Sequence, residues 1–274
     1  MQVRTQSTAP RIRVSIAVIL LFQVSALFLR SILEVQLVRN GFNPVAAKYI
    51  GALLGLFALG IFLAPVIRSL WPALMLQFLH SGRWFRLVIA SVTLGTSLWI
   101  INAQVMLLLG VPDGFTTADQ TQQATAVFQF ECAAGMMLLL AVPVMSLATP
   151  VIEEICSRGL ILQTLLPQGR IRAILISSIL FSLLHKPEAY ATAFLFGLFV
   201  AVQALNWRSL WGPIITHGTF NLLVELDRAC MTAYWLPGRL LWESGSALVQ
   251  AVTISVVCLC VSCLLVSGRR LGAT

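Results

Sequence analysis

The chain has 274 residues, 58% of them hydrophobic and 10% charged, with a net charge of +8. A soluble domain is about 45–50% apolar and about 25% charged, so this composition excludes a soluble globular protein and makes the bilayer the fitting solvent. The positive charge does not signal nucleic acid, because Arg and Lys sit in short clusters between apolar runs (Arg68, Arg83 and Arg86; Arg170 and Arg172; Arg269 and Arg270), as flanks of membrane helices do.

A membrane helix needs about 20 mostly apolar residues. On that measure spans are expected near 14–33, 47–67, 87–109, 127–148, 171–186, 189–206, 210–226 and 247–266. The first follows a basic start and reads as a retained signal anchor rather than a cleaved leader, with Arg30 and Glu34 closing it. Leu70–Leu79 is too short to span, and either lies at the interface or extends the second helix. Pro112 to Gln123 is polar and reads as a loop. Pro143 and Pro150 are expected to break the fourth segment, and the fifth to seventh are short and closely connected. The six cysteines lie mostly in apolar runs and imply no disulfide framework.

The expected fold is all-α: a polytopic transmembrane bundle of about eight helices forming one membrane-embedded domain over residues 1–274. Both termini are placed in the cytoplasm by the basic clusters. The first outer loop, with Arg30, Arg39 and Lys48, is the exception to that charge rule, while Glu225, Asp227 and Glu243 fall in an outer loop.

Ionisable side chains in a bilayer cost about 2.5–3.5 kcal/mol each even on lenient scales, and so point to function. Three clusters stand out in the second half of the chain. In Glu153-Glu154-Ile-Cys-Ser-Arg158, Glu154 and Arg158 are spaced i, i+4 and can pair, which leaves Glu153 free to face elsewhere as a general base. In Phe181-Ser-Leu-Leu-His185 the same spacing lets the ring pack on the imidazole. In His217-Gly-Thr-Phe-Asn221, His and Asn share one helix face, and Gly218 admits a close neighbour. Singly, each cluster is equally readable as a surface ion pair, an incidental histidine or helix–helix glue. Jointly they supply a base, two histidines and an amide, the parts that activate water and hold an oxyanion.

These motifs, E-E-x-x-x-R, F-x-x-x-H and H-x-x-x-N on successive membrane segments, resemble the CPBP (CAAX protease and bacteriocin-processing, or ABI) family of intramembrane peptidases. The resemblance covers roughly residues 140–226, within a peptidase core of about 127–226, and includes Phe196-Gly-Leu-Phe and Ser209-Leu-Trp-Gly-Pro before His217. Ser157 departs from it, since an aromatic residue commonly precedes the Arg.

The resemblance implies hydrolysis of a peptide bond in a membrane-associated protein or peptide. Glu153 with His185 would activate water, His217 and Asn221 would hold the carbonyl or its oxyanion, and Glu154, Arg158 and Phe181 would support them. Cofactor use stays open between none and Zn²⁺; a zinc ion would take Glu153, His185 and His217, but H-E-x-x-H is absent and the metal-free reading is preferred. A prokaryotic inner membrane is the expected location. The rival readings are a non-catalytic binding or immunity protein of the same fold, and a transporter using these residues as an ion relay. One tension stands: the assigned spans put Glu153 near the inner face and His185 near the outer one.

Overall fold

The computed structural model describes residues 15–78, 84–108, 135–228 and 245–267. Among them are eight helical stretches and no strand: α1 (Ile16–Arg39), α2 (Pro44–Phe78), α3 (Trp84–Leu108), a compound rod α4 over 135–168, α5 (Arg170–Ser182), α6 (Tyr190–Trp207), α7 (Trp211–Arg228) and α8 (Gly245–Ser267). The polar 112–123 stretch, Glu243 and both chain ends lie outside the described residues. Five stretches are long and apolar enough to cross a membrane: Ile16–Arg39, Pro44–Pro72, Trp84–Val105, Leu138–Gln168 and Tyr190–Trp207. With large apolar side chains such as Phe28, Phe57 and Leu264 facing outward, the surface suits lipid rather than water.

Two expectations about the spans are corrected, and the choice left open for Leu70–Leu79 is decided. The first span does not end at residue 33. It runs to Arg39, so Arg30 stands on a helix wall rather than in an outer loop. Leu70–Leu79 extends α2 as far as Phe78, at the limit of the described residues. Glu225 and Asp227 are on α7, and Glu225 is buried against the Tyr49 hydroxyl, which donates to its Oε2.

The largest correction concerns α4. Pro143 and Pro150 do not break it, because helical backbone continues through both, with π-helical turns at Val142–Ala148 and Ile155–Ile161 around an α-helical Thr149–Glu154. Proline lacks an N–H and crowds the carbonyl four residues back. A π turn accommodates this by shifting the hydrogen-bond register one residue; such turns often accompany functional sites. Here the N–H and hydroxyl of Thr149 both go to the Val144 carbonyl, the hydroxyl at 2.8 Å. The rod ends at Gly169, whose φ of +113° is a conformation that favours glycine, and α5 folds back from it.

That hairpin removes the tension between the two ends of the site. Glu153 precedes Gly169 by as many residues as His185 follows it (169 − 153 = 16; 185 − 169 = 16). Two adjoining arms of equal length bring the residues to one depth, and Leu138–Gln168 is centred on Glu153. The opposite end of the bundle is tied by Leu210 N–H to the Gln77 carbonyl at 2.8 Å and Trp211 Nε1–H to the Phe78 carbonyl at 2.9 Å, which satisfies the last carbonyls of α2. Arg170 donates to Asn206 Oδ1 at 2.7 Å at the same end. The core under it is Leu63, Leu74, Leu160, Ile161 and Leu162, with Leu74 and Leu210 closing on Gly159.

Candidate active site

Glu154 is the buried centre of the site. It is fully enclosed, as are Arg158 and His217 to within a few per cent. Arg158 Nη1–H donates to Glu154 Oε1 at 3.0 Å, the i, i+4 pair expected from spacing. The same oxygen also takes a 2.8 Å bond from His217 Nδ1, which arrives from α7. Glu154 therefore joins two of the motifs instead of only bracing the first. Because a carboxylate accepts, this bond fixes the proton on Nδ1 and turns Nε2 towards Glu153, whose Oε2 stands 3.8 Å away. That gap is too long for a direct hydrogen bond and has the scale of a contact bridged by one small molecule. The Glu153 side chain keeps 28% of its surface exposed, the one open carboxylate of the pair.

Aromatic packing fixes the third member. The Phe181 ring lies under the Arg158 guanidinium at 4.3 Å, tilts against His185 at 4.7 Å and meets the His217 ring edge-on at 6.0 Å. One side chain thus touches all three motifs, which gives the F-x-x-x-H spacing a physical meaning. A cation over a ring, out of water, contributes up to about 2 kcal/mol. His185 sits just past the end of α5, where its Nδ1 bonds the Phe181 carbonyl at 2.9 Å. A carbonyl only accepts, so Nδ1 carries the proton and Nε2 is left with its lone pair.

Asn221 spans helices in another way. Pro150 has no N–H and the Thr149 N–H is committed to Val144, so the Met145 carbonyl loses its donors along α4; Asn221 Nδ2–H supplies one at 2.7 Å. One of the two N–H groups of Asn221 is spent on this bond, and the second remains for a ligand. Gly218 makes the approach of α7 possible, since a Cβ there would lie 2.7 Å from the Ser146 carbonyl oxygen.

Glu153, His185, His217 and Asn221 all line one cavity of about 580 Å³, with Phe181 in its wall. Residues missed in the sequence complete it: Phe196 packs edge-on against His217 at 4.9 Å, the Gly197 carbonyl takes a 3.4 Å bond from Arg158 Nη2, and Met145 and Thr149 form part of the lining. Phe196 and Gly197 stood in the quoted Phe-Gly-Leu-Phe run, but nothing local says that they meet His217 and Arg158.

A zinc site would need its ligands to converge on one point. No three His, Cys, Asp or Glu side chains converge on one point among the described residues. Glu153 Oε2 and His217 Nε2 stand 3.8 Å apart, and His185, bonded through Nδ1 to the Phe181 carbonyl, keeps its Nε2 free. A tetrahedral zinc needs at least three protein ligands, and these three side chains are not gathered on one point as they stand.

Comparison with known proteins bears on the same stretch. Residues 135–223 match the family model described as type II CAAX prenyl endopeptidase Rce1-like. The match starts with the first turn of α4 and ends inside α7, so it holds all three motifs. No curated protein and no solved structure matches the chain. A stretch similar to that family, carried on apolar helices of bilayer length, supports an integral membrane protein.

Proposed function

We propose that the Rce1-like domain makes this chain an intramembrane endopeptidase in which Glu153 activates water against a peptide bond of a membrane-associated substrate. The observation that carries the reading is the division of labour within the Glu153–Glu154 pair. Glu154 is buried and its Oε1 is bonded by both Arg158 and His217, whereas Glu153 is open to a cavity and stands 3.8 Å from His217 Nε2.

The chemistry follows from those positions. A water held between Glu153 and the His185 Nε2 lone pair gives its proton to Glu153 as its oxygen attacks the peptide carbonyl carbon. Negative charge gathers on the carbonyl oxygen. His217, when protonated, donates from both nitrogens, one to Glu154 and the other towards that oxygen, and the second N–H of Asn221 joins it. Glu153 then passes the proton to the leaving nitrogen as the C–N bond breaks, releasing an acid and an amine. Each step uses groups of this chain alone, in keeping with a glutamate-dependent, metal-free peptidase.

The cytoplasmic placement of both termini and a prokaryotic inner membrane belong to the same proposal. The orientation rests on the basic groups Arg170, Arg172 and Arg208 exposed near the hairpin end. The test is a comparison of membrane fractions from cells making the wild-type chain or Glu153→Gln, read by mass spectrometry of new protein termini. New termini with the wild type that vanish with the variant are expected. The same termini with both would remove Glu153 from the reaction, and none with either would remove the peptidase reading.

A further inference from the structure

The hairpin end of the bundle holds a second, smaller cavity of about 280 Å³, and none of its lining residues lines the first. It lies where the ends of α2, α4 and α6 meet, at Gln77, Gln163 and Arg208, with Leu166 and Leu205 as its apolar part. Arg208 takes an unusual conformation to stand there. Its φ of +50° and ψ of +37° are left-handed, and it is the one non-glycine residue with positive φ among the described residues. Helices commonly end on such a conformation, but with glycine, because a Cβ crowds the following carbonyl. Strain of this kind persists where a side chain has a use. The Arg208 side chain is exposed, and it makes no ion pair or hydrogen bond among the described residues.

The polar groups beside it also have donors to spare. Ser209, only 3% exposed, accepts the Trp211 backbone N–H on its Oγ at 3.2 Å and keeps its own proton to give. The Gln163 amide makes no hydrogen bond among the described residues. No Asp or Glu among the described residues lines the cavity. Three donors, one of them a full positive charge, with no acid to answer them, make a receptor for an anion. The surroundings say which anion. Arg170, held at this end by Asn206, and Arg172 are exposed, and the Trp211 ring meets Trp84 edge-on at 5.6 Å and Phe78 at 5.5 Å. Tryptophan and arginine together mark the headgroup layer of a bilayer.

We propose that this cavity binds the phosphate of an anionic phospholipid. Arg208 pairs with the phosphate oxygens, Ser209 and Gln163 donate to them, and Leu166 and Leu205 lie against the glycerol and the start of the acyl chains. A phosphate offers the planar guanidinium two oxygens at once. A zwitterionic lipid brings an ammonium as well, which meets no acid here. Basic pockets between membrane helices suit such headgroups. Because α2, α4 and α6 are not consecutive in the chain, a lipid seated between their ends ties together elements that no single turn connects. The site stands whether or not the chain is a peptidase.

The test is a thermal melt of the delipidated full chain in neutral detergent, with phosphatidylglycerol, phosphatidylcholine or inorganic phosphate added. At saturation phosphatidylglycerol should raise the midpoint by about 5 °C, and the other two by less than about a third of that. Arg208→Gly separates the ligand from the fold. Without lipid it should melt with the wild type, because the strain that glycine relieves offsets the freedom it adds to the unfolded chain. With phosphatidylglycerol it should gain almost nothing. Arg208→Lys should keep part of the gain and Gln163→Leu should reduce it. Arg68→Gln, which removes an exposed arginine outside the lining, should keep all of it. An equal gain from phosphatidylcholine would be general solvation by lipid and overturns the proposal. An equal gain from inorganic phosphate makes the site one for a soluble anion and overturns it as well. So does a gain that survives Arg208→Gly, or no gain at all. Arg208→Gly melting well below the wild type without lipid would make the arginine a structural cap, with the same consequence.

Discussion

Replacing Glu154 with Gln tests the buried centre of the site most sharply. The change keeps the shape and removes one negative charge from between Arg158 and His217, which bond the same oxygen at 3.0 and 2.8 Å. Arg158 is 1% exposed, so its charge would be left with only the Gly197 carbonyl and the Phe181 ring. Breaking a buried pair from one side costs about 3–5 kcal/mol, whereas removing both charges together is often neutral. Glu154→Gln should therefore lower the thermal midpoint of the detergent-purified protein, and Glu154→Gln/Arg158→Met should restore much of it. Activity should behave differently, because the carboxylate also holds the tautomer and angle of His217. Misplacing such a group costs about 10²-fold in rate. Cleavage per folded molecule should fall by that order in both variants and not recover in the double one. If Glu154→Gln melts with the wild type, or the double variant regains cleavage, the shared-carboxylate account is wrong.

Two further outcomes follow from single positions. Gly218→Ala places a Cβ against the Ser146 carbonyl, and should cost about 1–3 kcal/mol of stability together with a drop in cleavage as α7 is pushed from α4; Gly60→Ala, with nothing within 4 Å, should change neither, as melting curves and peptide assays will report. If the chemistry is metal-free, a membrane-permeant chelator should leave cleavage intact and elemental analysis should find no stoichiometric zinc, while one zinc per chain lost in His185→Ala or His217→Ala would reverse that.

What could be read from the sequence divides along the range of the contacts. Glu154–Arg158 and Phe181–His185 lie within single helices, where spacing alone makes residues meet, and both contacts are present at the expected places. The role of Gly218 was also legible, since a missing side chain opposite a polar pair marks a close approach. The bond from His217 to Glu154 was not, because it depends on how α7 leans on α4, and no local pattern encodes that lean. Pro150 misled for a definite reason: proline ends α-helical hydrogen bonding, but a π turn and the side chains of Thr149 and Asn221 take up the groups it leaves. Arg30 was assigned to a loop because a span of about 20 residues ends near it, whereas α1 has 24 residues and carries it inside.

The bond between Asn221 and the Met145 carbonyl has a consequence for biogenesis. Chain order puts α4 into the bilayer before α7 exists, and until then that carbonyl has no donor in its own helix. An unmet backbone group in hydrocarbon costs several kcal/mol, so the half-made protein is held short of its resting state. The relief comes from the same residue that brings an amide to the cavity of Glu153. Docking of α7 on α4 and assembly of the proposed site are thus one event, and a truncated chain released before residue 221 would lack both. The bilayer itself acts as the inspector: it withholds stability from any assembly intermediate that has not yet closed around its reactive centre.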